Sequence, residues 1–179
     1  MLSNENTKER YSLLKERVGT YLAQNGIVGK VVKISKEALT AEEKLLLKRV
    51  QETYDDAVEL QLAQEGGWVV VSGLITNSGN AYTGMNDATV KPTRHAEFEA
   101  LYAFKRVITA SNDNEYPIGL MVMAKPRDEL RGESFMCGNC RENAWRVSGD
   151  IGLKVYGAAP LSEYLYMTTL GHLYSCPYP

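Results

Sequence analysis

Apolar and polar positions alternate along this chain with two periods, and the switches between them outline the elements. Residues 8–24 carry Leu14, Val18, Tyr21 and Leu22 at helical spacing, and Asn25-Gly26 ends the run. Residues 27–34 suit a short strand. A second helix is predicted from Thr40, because Thr40 followed by Glu43 forms a capping box in which each side chain serves the other's backbone N–H. Leu46, Val50, Tyr54, Ala57 and Val58 then share one face. Gly66-Gly67 breaks that helix. Trp68 to Thr76 is rich in β-branched residues, Asn77-Ser78-Gly79-Asn80 is a turn, and Ala81-Tyr82-Thr83 opens the returning strand of a hairpin.

Past Lys91-Pro92-Thr93, a helix is predicted over about 94–110, with Ala100, Leu101, Phe104, Val107 and Ile108 on its buried side. Residues 117–124 form a hydrophobic strand and 125–135 a polar loop. Cys137 opens a further helix that ends near Gly149. Strands follow at 152–158 and around 164–167. From Thr40 onward the order is helix, strand, strand, helix, strand, helix, strand, strand. Such alternation favours an α/β layered domain built on a mixed sheet. The pattern contains no internal repeat and no low-complexity segment.

Composition narrows this picture only in places. A chain of 179 residues with 44% hydrophobic content fits one domain with a small appendage. No apolar run approaches the roughly 20 residues of a membrane span, and the polar start Met1-Leu2-Ser3-Asn4-Glu5-Asn6 has no signal-peptide character. A soluble, cytoplasmic protein without a membrane partner is therefore expected. The formal net charge of −2 supplies no general attraction to phosphates. Nucleic acid is thus a disfavoured partner, retained only because a local basic patch needs no overall charge. Three cysteines, Cys137, Cys140 and Cys176, make no disulfide framework.

The chemistry lies in two short motifs, His95-Ala96-Glu97 and Cys137-Gly138-Asn139-Cys140. Catalytic zinc sites use three protein ligands and leave a fourth position for water. His95, Cys137 and Cys140 have the identities for such a set. Cysteines three apart at a helix start point to one side, and helix N-termini favour thiolates. Glu97, two residues past His95, is suited to proton transfer rather than ligation, which makes it the candidate catalytic residue. Alternatives remain for each half. His-x-Glu is common as a surface pair, and Cys-x-x-Cys also serves closed structural zinc sites, for which His172 or Cys176 offers a fourth ligand. The combined pattern, with each half at a predicted helix start, is that of zinc nucleobase deaminases.

Beyond the two motifs the sequence resembles the cytidine deaminase family from about residue 40 to 179. Trp68 to Asn86 aligns without a gap to that family's first hairpin. Tyr82-Thr83-Gly84-Met85-Asn86 resembles its Tyr-Thr-Gly-Cys-Asn stretch, and Thr168-Thr169-Leu170-Gly171-His172-Leu173 resembles its Tyr-Thr-Leu-Gly-Glu-Leu. Cys140-Arg141 keeps its Cys-Arg pair. The resemblance implies a three-layer α/β/α fold around a mixed five-stranded sheet over residues 37–179, with residues 1–36 as an N-terminal extension of helix and short strand. It implies a homo-oligomer, a dimer or tetramer, with subunits meeting around the active sites. It places Asn86 on the asparagine that contacts the ribose, Trp68 on an aromatic position near the pyrimidine, and Ala96 where backbone groups read the base edge. Asn86 as the brace of a turn and Trp68 as a core aromatic are the structural alternatives.

Several positions depart from the family. Its ribose-binding glutamate is replaced, since Asn86 is followed by Asp87 and Ala88. Met136 stands for the proline before the first cysteine, and Phe98 for an arginine after the glutamate. The resemblance implies zinc-dependent hydrolytic deamination of a cytidine-like nucleoside, releasing ammonia. A modified nucleoside of the blasticidin type, cytosine in single-stranded DNA, and a zinc-stabilised binding module without turnover are the competing readings.

Overall fold

Thr40 ends an extended segment and starts a helix, through both halves of a capping box. The Thr40 backbone N–H donates to Glu43 Oε2 at 2.9 Å, and the Glu43 N–H donates to Thr40 Oγ1 at 3.2 Å. The helix that follows, α1 (Ala41–Leu62), turns Leu46, Val50, Tyr54 and Ala57 inward as their spacing predicts, with Val58 at the margin. The coordinates are a computed structural model that describes residues 20, 23–24, 30–62, 68–87, 94–111, 114–124 and 135–175. The helix expected over 8–24 falls almost wholly outside these residues. So do Gly66-Gly67, Lys91-Pro92-Thr93, most of the 125–135 loop, and Cys176.

Six strands form one mixed sheet. They are β1 (Val32–Ser35), β2 (Val70–Thr76), β3 (Ala81–Met85), β4 (Pro117–Ala124), β5 (Lys154–Ala158) and β6 (Tyr164–Thr169), in the spatial order β1-β6-β5-β4-β2-β3. Only β4 and β5 run parallel; the other neighbours are antiparallel. The parallel pair needs a crossover, and the helix α3 (Gly138–Ser148) supplies it. The expected hairpin is present; its first strand begins at Val70 rather than Trp68, and its second begins at Ala81 as expected and runs to Met85. The sheet has six strands where five were expected. The sixth is β1, whose four residues pair with β6 at the edge from Val32↔Met167 to Ser35↔Tyr164.

Alternation along the strands separates two cores. Val71, Ile75, Met121, Met123, Tyr156 and Leu165 face α1. Leu74, Leu120, Val122 and Val155 face the opposite layer, made by α2 (Ala96–Ser111), α3 and the short α4 (Leu170–Ser175). This is the layered α/β domain that alternating elements predict, in the three-layer α/β/α form that the family resemblance implies. In α2, Ala100, Leu101 and Phe104 are buried and Ile108 is partly so, but Val107 is 44% exposed, contrary to expectation. Its side of the helix overhangs β3, the last strand of the sheet, and opens onto a cleft lined also by Leu45, Thr53 and Thr83. The sequence pattern also missed α4, which continues directly from β6. Among the described residues no helix is long and apolar enough to cross a membrane.

Candidate active site

Two helices begin at the same end of the sheet, and each begins on a metal-ligating residue type. His95 precedes α2, and its carbonyl accepts from the Phe98 and Glu99 N–H groups at 3.1 and 3.2 Å. Cys137 is the N-cap of α3 in extended conformation, and its carbonyl accepts from the Arg141 N–H at 3.0 Å. An N-cap side chain is released from helical packing and projects past the helix end. Cys137 does not spend that freedom on the usual cap, since it makes no side-chain cap hydrogen bond. Instead the two side chains converge. His95 Nδ1 lies 3.3 Å from Cys137 Sγ and 3.5 Å from Cys140 Sγ, a residue one turn into α3.

Those separations fit a tetrahedral ion. Zinc bonds of ~2.3 Å to sulfur and ~2.0 Å to nitrogen, at a tetrahedral angle, set donor atoms about 3.5 Å apart. The three ligand atoms lie within 4.8 Å of one another, and no fourth His, Cys, Asp or Glu joins them among the described residues. His172, one proposed fourth ligand, sits on α4, where burial lowers its pKa, and is not part of the group. Among the described residues the set is therefore three donors, the number that catalytic zinc sites use. Burial grades across the set, from exposed His95 to buried Cys140.

Glu97 lies in the first turn of α2 and is 5% exposed. Burial pushes its carboxyl above the ordinary glutamate range; the negative Cys137 nearby adds to this, while a hydrogen bond from its own backbone N–H, the His95 charge and the Cys140 S–H oppose it. A buried carboxyl whose pKa is raised suits a group that must both take and return a proton. Hydrogen bonding between the two thiols holds the Cys137 pKa down and, together with burial, pushes that of Cys140 up. The positive end of α3 supports the thiolate on Cys137.

The close seating of α2 depends on Gly84 in β3. A Cβ placed there would lie 2.5 Å from the Ala100 backbone nitrogen, 2.7 Å from Glu99 Cβ and 2.8 Å from the Ala96 carbonyl oxygen. Gly84 therefore lets the backbone of the first turns of α2 rest on the strand. A glycine inside a strand pattern is the sequence signal for such an approach. Ala96 itself is fully buried at the head of α2.

Asn86 and Trp68 flank the same end of the sheet. The Asn86 amide clamps the hairpin: Oδ1 accepts from the Val70 N–H at 2.8 Å, and Nδ2 donates to the Trp68 carbonyl at 2.9 Å. The Asn86 N–H also donates to the Val70 carbonyl at 3.0 Å. Trp68 is 37% exposed, so it is not a fully buried core aromatic. Arg141, the arginine of the family's Cys-Arg pair, is engaged with two backbone carbonyls.

No protein-family model and no curated protein matches the chain. Solved structures do. The cytidine deaminase from Burkholderia pseudomallei is 23% identical, over 70% of this chain and 94% of that one, with a TM-score of 0.52. Cytidine deaminases from Mycobacterium tuberculosis (18% identity, 71% and 92% covered, TM-score 0.46) and Mycobacterium leprae (20% identity, 71% and 95% covered, TM-score 0.45) also match. The likeness to the Burkholderia structure establishes that this chain has the cytidine deaminase fold. The resemblance read from residues 40–179 holds at that level.

Proposed function

We propose that the protein is a zinc-dependent hydrolytic deaminase acting on a cytidine-like nucleoside. One observation carries this reading: three soft and imidazole donors meet at tetrahedral spacing beside a buried carboxyl that has no ligand role. When bound, zinc lowers the pKa of a coordinated water from about 16 toward 7. His95, Cys137 and Cys140 would hold the ion from two helix starts. Glu97 takes the proton of the attacking water, delivers it to the ring nitrogen, and assists the departing ammonia. Burial keeps Glu97 out of bulk solvent, so the proton it takes stays at the site. Ala96 and Cys137 offer backbone groups to the edge of the base.

The test is loss of cytosine absorbance when zinc-loaded protein meets cytidine or deoxycytidine. Glu97→Gln should keep the zinc content and the fold while turnover falls by at least ~100-fold, the lower end of what a positioned acid–base group contributes. Wild-type protein inert on a broad panel of amino-bearing bases would leave the zinc-stabilised binding module as the better reading.

A modified nucleoside is favoured as the second reading by the state of Asn86. Both polar atoms of its amide already hold the backbone of residues 68 and 70. With Ala88 in the sequence position of the family's carboxylate, and only one donor and one acceptor direction of the Asn86 amide still open, this stretch offers less ribose recognition than the family's. A sugar altered at the positions those groups read would lose less here than ordinary ribose does. The homo-oligomer belongs to the same proposal. Phe98 and Tyr102 stack on the outer side of α2, 45% and 53% exposed and beside Glu97, where a partner subunit would cover them. Sedimentation of the zinc-loaded protein as a monomer would count against it.

A further inference from the structure

Arg141 reaches out of α3 in two directions at once. Its Nε–H donates to the Met136 carbonyl at 2.9 Å, and its Nη1–H donates to the Leu173 carbonyl at 2.5 Å. Met136 is the residue before Cys137 and is fully buried. The Cys137 sulfur faces His95 and Cys140, so it does not fasten the entry to the helix as an N-cap side chain ordinarily would. The hydrogen bond from Arg141 to Met136 fastens it from the other side. Leu173 lies in the last turn of α4, where helix carbonyls have no partner further along the helix. The start of α4 is tied separately, by the Leu170 N–H to the Leu153 carbonyl and the Gly171 N–H to the Ile151 carbonyl. One guanidinium thus joins the segment entering the ligand helix, the helix itself and α4.

We propose that Arg141 is a positioning residue for the metal: it fixes the backbone that carries Cys137, and through Leu173 it makes zinc retention depend on the docking of α4. The proposal rests on the reading that His95, Cys137 and Cys140 hold zinc. The two carbonyls require a planar fork with separate donors. A lysine ammonium is a point charge without that fork, so lysine restores part of the effect.

The experiment uses the full-length, zinc-loaded protein and the variants R141A, R141K and R146A. Arg146 pairs with Glu142 across an exposed turn of the same helix and serves as the control. Zinc release to a chromogenic chelator, the thiolate-to-metal absorption of the cobalt-substituted protein, and hydrogen exchange over residues 170–175 are measured. R141A should release zinc about 10–100-fold faster, the range found when groups supporting metal ligands are removed. R141K should fall between R141A and wild type, and R146A should match wild type. In R141A the cobalt bands should shift and exchange in α4 should speed up. A folded R141A with wild-type release and an unchanged cobalt spectrum overturns the proposal. If R141A does not fold, wild-type release from R141K overturns it. Wild-type protein that retains no zinc refutes both the metal site and this role. None of these readouts needs a substrate, so inertness on every nucleoside would refute the proposed activity while the release rates still decide for or against Arg141.

Discussion

Replacing Gly84 with alanine should damage the metal site through the backbone, without touching any ligand. The added Cβ would stand 2.5 Å from the Ala100 nitrogen, whereas ordinary contact begins at 3.4 Å, so the first turns of α2 must retreat by about 0.9 Å (3.4 − 2.5). Two of the three obstructing atoms are backbone and the third is the Glu99 Cβ, so no side-chain rotation relieves the clash. Overpacking of this kind costs about 1–3 kcal/mol of stability. The larger consequence is geometric, because His95 and Glu97 sit at the start of α2 while Cys137 and Cys140 sit at the start of α3. Metal sites tolerate ligand displacements of only ~0.2 Å. A shift near 1 Å at a reacting centre costs on the order of 100-fold in rate. G84A should therefore unfold at lower denaturant, bind zinc more weakly and lose most turnover. G73A and G79A are the comparisons. At Gly73 the nearest atom is the end of a Val50 side chain, on the face away from the site, and at Gly79 nothing lies within 4 Å although φ is +81°. Both should cost stability and keep wild-type zinc affinity. A G84A protein with wild-type zinc affinity and turnover would refute the claim that strand–helix contact sets the site.

Three further outcomes follow from groups outside the site. Thr168 Oγ1 is buried on β6 without a hydrogen-bond partner among the described residues, so the near-isosteric T168V should raise stability, by up to about 1–3 kcal/mol, and with it the melting temperature; a lower melting temperature would show that the hydroxyl is satisfied. Glu43 accepts from Lys154 Nζ at 2.8 Å and from the Tyr156 hydroxyl, and E43A, which leaves that buried hydroxyl without this acceptor, should cost about 1–3 kcal/mol in urea unfolding. Burial alone would raise the Glu43 pKa, but hydrogen bonds from Lys154, Tyr156 and the Thr40 N–H outweigh it and bring the folded value below the ordinary 4.5. The stability Glu43 contributes is therefore complete above that value and fades as pH falls through the lower, folded one. The difference between wild type and E43Q should shrink on acidification below 4.5, and a difference that grows would contradict the assignment.

How far the sequence anticipated this depends on whether a feature is local. The capping box at Thr40, the apolar stripe of α1 and the hairpin turn at residues 77–80 are each set by neighbours within a few positions, and each appears where the pattern put it. The ligand motifs were legible for the same reason: each lies within four residues, at a helix start. What the pattern could not supply depends on partners distant in sequence. Val107 falls on an apolar spacing but ends beside the sheet edge, because the pattern gives helix faces and not the width of the sheet beneath them. β1 joins β6 across some 130 residues of chain, and pairing at that separation leaves no local trace. Arg141 looks like any helix arginine until Met136 and Leu173 are seen to share it.

The same contrast bears on substrate. In the sequence Asn86 looks like a residue whose amide awaits a ligand, because the family motif ends on it. In the fold its amide spans residues 68 and 70, and so holds the first hairpin at the same end of the sheet as His95. An amide carries two donor hydrogens and an oxygen with two lone pairs, so one donor and one acceptor direction remain after the clamp is made. Any nucleoside contact by Asn86 is then an addition to a structural duty, and the two are separable. Asn86→Ala should destabilise the hairpin as well as weaken binding. Asn86→Asp keeps the acceptor toward the Val70 N–H but has no N–H to give the Trp68 carbonyl or a ligand, and it places a charge beside that carbonyl. If the clamp is the main role, N86D should lose stability by about 1–3 kcal/mol with turnover tracking the folded fraction. If ribose contact dominates, KM should rise several-fold at unchanged stability. A KM effect confined to ordinary nucleosides, absent for a sugar-modified substrate, would identify the sugar as the part of the ligand that Asn86 reads.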